Sequence, residues 1–205
     1  MQEKDYLKDI KEIKKIMNKS TRFLSLSGLS GILAGIYALI GAFLAYRTIK
    51  NYFYIGKYDS INPNSIELKL LLIAFFVATL SIATAYFLTK KKANKEGQTL
   101  WNTTVKRLLL HFSIPLIAGG FLSLELLNMG FFGLIAPITL IFYGLALLNA
   151  SNFTLSNIKY LGIAEIILGL IAVNYIGYGL YFWAIGFGVF HIIYGSIVYL
   201  NERKS

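Results

Sequence analysis

Six apolar stretches, each about 20 residues long, leave this chain few ways to fold. They run at roughly 23–46, 69–88, 107–127, 130–149, 159–175 and 178–200. A helix that crosses the hydrocarbon core of a bilayer needs about 20 mainly apolar residues. The six stretches take up most of the 205 residues, and 56% of the chain is hydrophobic against 15% charged, too apolar for an ordinary soluble domain. The expected fold is therefore all-α: one polytopic membrane domain of six transmembrane helices over 23–205, preceded by a cytoplasmic segment at 1–22. The first apolar run follows a charged segment of some 22 residues and lacks a small-x-small cleavage site before polar sequence, so it reads as a span and not as a cleavable signal peptide. Cysteine is absent, which removes disulfides, thiolate metal sites and cysteine lipidation.

The distribution of charge sets an expected orientation. Of 20 Lys and Arg, seven precede the first span and six lie from Lys90 to Arg107. One more falls between spans four and five, and two are at the C-terminus. The other side has Arg47, Lys50, Lys57 and Lys69. Positive residues stay cytoplasmic, which puts both termini inside. The net charge of +10 is then a topology signal suited to anionic lipid headgroups, and no nucleic-acid partner is expected.

Residues 2–19 read as an amphipathic helix. Tyr6, Ile10, Ile13 and Met17 recur at helical spacing and are flanked by five lysines, the pattern of a helix lying in the membrane interface. It serves as an anchor or as a docking helix for a cytoplasmic protein partner. The basic loop at 89–107 is expected beside it. On the outer side, Tyr46, Tyr175, Tyr178, Tyr181 and Trp183 mark the interface, where one end of an aromatic ring meets lipid and the other meets water.

Short repeats organise the spans. Ile32-Leu33-Ala34-Gly35 resembles Leu116-Ile117-Ala118-Gly119 and Ile166-Ile167-Leu168-Gly169, and Ile141-Phe142-Tyr143-Gly144 matches Ile192-Ile193-Tyr194-Gly195. They suggest three helical hairpins of the same orientation about an axis along the membrane normal. In span one, Ser27, Gly31 and Gly35 are spaced by four, with Ala38 and Ala42 continuing the ridge. This small-xxx-small face lets another helix approach closely, within the chain or in a homo-oligomer. The alignment sets Gly31 level with Pro115 and Glu165, so that Gly31 is expected to face Glu165.

The run LGIAEIILGLIAVNYIGYGLYFWAIGFGVFHIIYGSIVYL at 161–200 resembles the hairpin unit of the HdeD-type acid-resistance membrane proteins, small bacterial proteins of about six spans with glycine-punctuated repeats. The resemblance covers the last hairpin well, the middle one loosely and the first poorly. The head of the chain, STRFLSLSGLSGILAG, is similar to uncharacterised membrane proteins of Bacteroidota. These resemblances imply a small protein of the bacterial inner membrane and supply no catalytic residues.

An ionisable residue inside a span costs about 2.5–3.5 kcal/mol on insertion scales, so His111, Glu125, Glu165 and His191 each need a reason. Glu125 and His111 lie near span ends, where water reaches them. Glu165 and His191 sit deeper in spans five and six. They meet if their faces agree, or Glu165 is a buried carboxyl satisfied by a neighbouring helix; Asn174 is placed with them as a candidate polar site. A zinc site with an open position wants three protein ligands, and His111, His191 and Glu165 lack diagnostic spacing, so neither metal nor other cofactor is expected. The spans hold no aspartate, and the chain has no phosphate-binding glycine loop, so enzyme activity is not expected. Two functions remain open: a regulatory, stress-related or structural membrane protein, and a small proton-linked permease using Glu165 and His191.

Overall fold

The computed structural model describes residues 27–55, 64–95, 97, 101–154 and 158–203; the amphipathic segment at 2–19 and its expected role lie outside them. The described residues are all-helical. In chain order the helices are α1 (Gly28–Ile55), α2 (Asn64–Lys95), α3 (Thr103–Asn128), α4 (Phe132–Ser151), α5 (Ile158–Val173), α6 (Gly179–Trp183), a π-helical segment (Ala184–Phe190) and α7 (His191–Glu202). The last three run on as one continuous rod.

Five of these helical stretches are long and apolar enough to cross a membrane: α1, α2, α3, α4 and the rod Gly179–Glu202. α5 has 16 residues, about 24 Å at 1.5 Å per residue, somewhat short of a hydrocarbon core of about 30 Å. α2 departs from its expected span in the opposite sense. Its 32 residues reach about 48 Å, so that Lys90, Lys91, Lys92 and Lys95 form the last turns of a helix where a loop was expected. Cations there face the partial negative charge of the helix C-terminus, which favours continuing the helix.

The ends are set by local chemistry. Asn102 caps α3, its side-chain oxygen accepting from Val105 N at 2.9 Å, which satisfies one of the free N–H groups of the first turn. Between α3 and α4, Gly130 takes φ +80°, a left-handed conformation that glycine adopts without a Cβ clash. Pro115 and Pro137 lie inside α3 and α4 and are buried. Membrane helices tolerate such prolines because neighbouring groups re-satisfy the freed carbonyls.

Packing proceeds through glycine. α1 runs against α2 on one side and against the final rod on the other, while α4 is flanked by α3 and α5. A Cβ at Gly35 would lie 2.6 Å from Gly188 O and 3.0 Å from Ile192 N. A Cβ at Gly169 would lie 2.9 Å from Pro137 O and 3.1 Å from Ile141 N. The two glycines equated by the sequence repeat are thus seated alike, Gly35 on the final rod and Gly169 on α4. Both contacts join different expected hairpins; inside the last expected pair, α5 and the rod touch only lightly. Gly28 lies against the backbone of Tyr199, and Ala38, Ala42 and Ala45 continue the ridge as buried residues. In contrast, no residue in the most apolar window of α2 is buried.

A polar clasp closes one end. Glu202 Oε1 accepts from Lys92 Nζ at 2.7 Å and from Gly28 N at 3.2 Å. It thereby ties the start of α1 to the ends of α2 and α7, with an anion at a helix N-terminus.

Candidate functional site

The fold brings Glu165 of α5 and His191 of α7 together and adds two residues that the sequence reading left out, Tyr143 of α4 and Gly186 of the π segment. Glu165 is 0% exposed and His191 8%. His191 Nδ1 stands 3.0 Å from Gly186 O and 3.6 Å from Glu165 Oε1. A carbonyl oxygen only accepts, so Nδ1 carries a proton and donates it to Gly186. Nε2 of the neutral ring is then an acceptor, and Tyr143 Oη, 2.7 Å away, donates to it. The tautomer follows from these partners.

Among the described residues, neither oxygen of Glu165 has a hydrogen-bond partner. A charged carboxylate in such an enclosure would be very costly, and the neutral acid is the form that it accommodates. Gly186 makes the enclosure possible, since a Cβ there would overlap Glu165 Oε2 and stand 2.5 Å from Leu140 Cδ2. A ring stack shields the other side. Tyr143 packs on Phe187 at 4.9 Å between ring centroids, Phe187 on Trp183 at 4.9 Å, and Phe112 meets Tyr143 edge-on at 6.2 Å.

The π segment carries Gly186 and Gly188 on different neighbours. Gly186 faces α4 and α5, while a Cβ at Gly188 would strike Leu39 of α1. One wide turn therefore lets two helix surfaces close on the rod at once. π-helical turns are rare and recur at functional sites.

The other expected site residues lie elsewhere. Asn174 is exposed beyond the end of α5, its side chain directed to Leu170 O at 3.4 Å, which corrects its grouping with Glu165: nine residues of rise separate the two. Gly31 does not face Glu165 either. A Cβ there would lie 3.1 Å from Gly195 Cα and 3.5 Å from His191 O, because α1 meets the rod on the side away from α5. Ser27 sits at the start of α1, its carbonyl accepting from Ser30 Oγ at 2.6 Å. His111 is exposed and stacks on Phe153 at 4.8 Å, and Glu125 is half-buried near the end of α3. Among the described residues no three His, Asp or Glu side chains gather as metal ligands would.

Tyr143 had a signal in the sequence, as the tyrosine of the repeated Tyr-Gly pair, but nothing there linked it to His191. Gly186 had none beyond the glycine pair in AIGFGVF. Chemically, the cluster is an acid, an imidazole and a phenol in line, able to hold a proton and to redistribute hydrogen bonds around it. No protein-family model, curated protein or solved structure matches the chain. Its several apolar helices are compatible with a multi-pass membrane protein.

Proposed function

We propose that this chain is a non-enzymatic, multi-pass protein of the bacterial inner membrane, regulatory or stress-related in role, whose responsive element is the Glu165–His191–Tyr143 cluster. The observation that carries this reading is a fully enclosed carboxyl with no donor to either oxygen among the described residues, 3.6 Å from an imidazole. Intramembrane acids of this kind are costly and mark proton-handling or ligand sites. In this reading α5 completes a sixth crossing and both termini are cytoplasmic, in keeping with the excess of Lys and Arg at that end. The basic N-terminal segment and the 89–107 region meet anionic headgroups and hold a cytoplasmic partner.

The test is infrared difference spectroscopy on the full chain in nanodiscs between acidic and alkaline pH. A protonated-carboxyl band that disappears with rising pH and is missing from Glu165→Gln is expected; an identical spectrum in the variant refutes the proton site. A second reading, a proton-linked permease, rests on the same acid and histidine. It requires substrate-driven proton flux in proteoliposomes that Glu165→Gln abolishes.

A further inference from the structure

The proton on His191 Nδ1 has two acceptors within 0.6 Å of the same reach: Gly186 O at 3.0 Å, which holds it, and Glu165 Oε1 at 3.6 Å, which does not. Gly186 lies inside the π segment, five residues before His191, and Glu165 Oε2 rests against its Cα hydrogens. The backbone N–H of His191 goes to Gly188 O, away from the i−4 carbonyl that an α-helix would use. The carbonyl of Gly186 accepts a side-chain N–H from His191 at the place where the helix is widened. In a regular α-helix that carbonyl would take the N–H of Phe190.

We infer that Glu165 and His191 form a proton-controlled switch of helix register in the final rod. Resting on the proton-binding reading above, it works as follows. With Glu165 as the neutral acid, the Nδ1–H of His191 stays on Gly186 O and the π turn is kept. When Glu165 releases its proton to water, the carboxylate attracts that N–H as a charge-assisted hydrogen bond, which is stronger than one to a neutral carbonyl. His191 keeps its own proton and Tyr143 keeps donating to Nε2. Gly186 O, relieved of the imidazole's pull, then turns to Phe190 N–H, and the segment tightens towards α. Removing one residue's worth of winding turns Gly179–Trp183 relative to α7 by roughly 100°, or strains the ring stack of Trp183 and Phe187 until it yields. The titratable side chains around the cluster are Tyr143 from α4 and Tyr194 from α7, besides the pair itself; α1 contributes Gly31 and Gly35, which do not titrate.

The chain has no cysteine, so labelled positions are unique. Spin labels at Tyr181→Cys and Lys50→Cys, both exposed, report on α6 against α1. A pair at Leu200→Cys and Lys90→Cys, both exposed, reports on the α7 end. Pulsed electron resonance on the full chain in nanodiscs, across the pH range in which the Glu165 carboxyl band disappears, reads both pairs. The first distance is expected to shift by several ångströms and the second to stay constant. The shift is expected to vanish in Glu165→Leu, held in the π state, and in His191→Phe, held in the tightened state. If the carboxyl band responds to pH while the wild-type distance does not, the switch is wrong and the proton site stands. An unresponsive band removes both. A shift that persists in Glu165→Leu overturns the switch, because another group then drives it.

Discussion

Gly35→Ala tests the packing on which everything at the cluster depends. The added methyl would sit 2.6 Å from Gly188 O and 3.0 Å from Ile192 N, where ordinary contact begins at 3.4 Å. Both atoms belong to the backbone of the final rod, so no side-chain rotation relieves the overlap and the two helices must separate by about 0.8 Å. A gap of roughly 0.5–1 Å forfeits a quarter to a half of each dispersion contact, and that loss extends along the Gly28–Ala45 ridge. Inserting a methyl into packing of this kind costs about 1–3 kcal/mol. Gly120 of α3 supplies the control, because a Cβ there meets nothing within 4 Å. Gly120→Ala is expected to be neutral or to stabilise by up to about 1 kcal/mol, the helix-propensity gain of alanine over glycine. The assay is reversible unfolding in mixed micelles titrated with a denaturing detergent, followed by the fluorescence of Trp183 after Trp101→Phe. Gly169→Ala is expected to match Gly35→Ala, since its methyl would strike Pro137 O and Ile141 N in the same way. A Gly35→Ala protein as stable as Gly120→Ala would refute the argument.

Tyr143→Phe leaves His191 Nε2 without its buried donor and is expected to destabilise by about 1–3 kcal/mol, with a changed 15N shift of the His191 ring measured in a His111→Gln background. Glu202→Gln weakens the clasp to Lys92 and Gly28; the paired side chains are 20% and 24% exposed, so the cost is expected to be only about 0.2–1 kcal/mol. That cost should shrink as salt is raised, and a salt-independent loss in the same unfolding assay would point instead to the cap on α1. Single thiols test the orientation. Tyr178→Cys is expected to react with an impermeant maleimide on intact cells and Lys159→Cys only after permeabilisation; the reverse pattern would invert the topology.

Much of the helical layout was legible in the sequence because lipid imposes it locally. A run of about 20 apolar residues states its own conformation without reference to any other part of the chain, and five of the expected spans reappear as long apolar helices. Their ends were less legible. The helix of α2 continues through Lys90–Lys95, where charged composition suggested a loop but the helix C-terminus favours cations. The ridge Gly31–Gly35–Ala38–Ala42 was visible as a pattern of small residues, yet that pattern names no partner. Any helix with a matching groove fits it, and the fold supplies the final rod.

The site divides along the same line. From the sequence alone came the class of chain, and Glu165 and His191 as ionisable groups inside apolar segments, each anomalous by itself. Asn174 was grouped with them because spacing along one helix does not say how far its end lies from the core. The tertiary structure alone decided that an α4 phenol meets the imidazole, that Gly186 makes room for the carboxyl, and that the rod widens into a π turn beside them. These are contacts between three separate helical rods, at distances of a few ångströms that no local periodicity encodes. The physical reason is that burial in lipid constrains each helix one at a time, whereas the register between helices is set by where glycines permit backbones to touch.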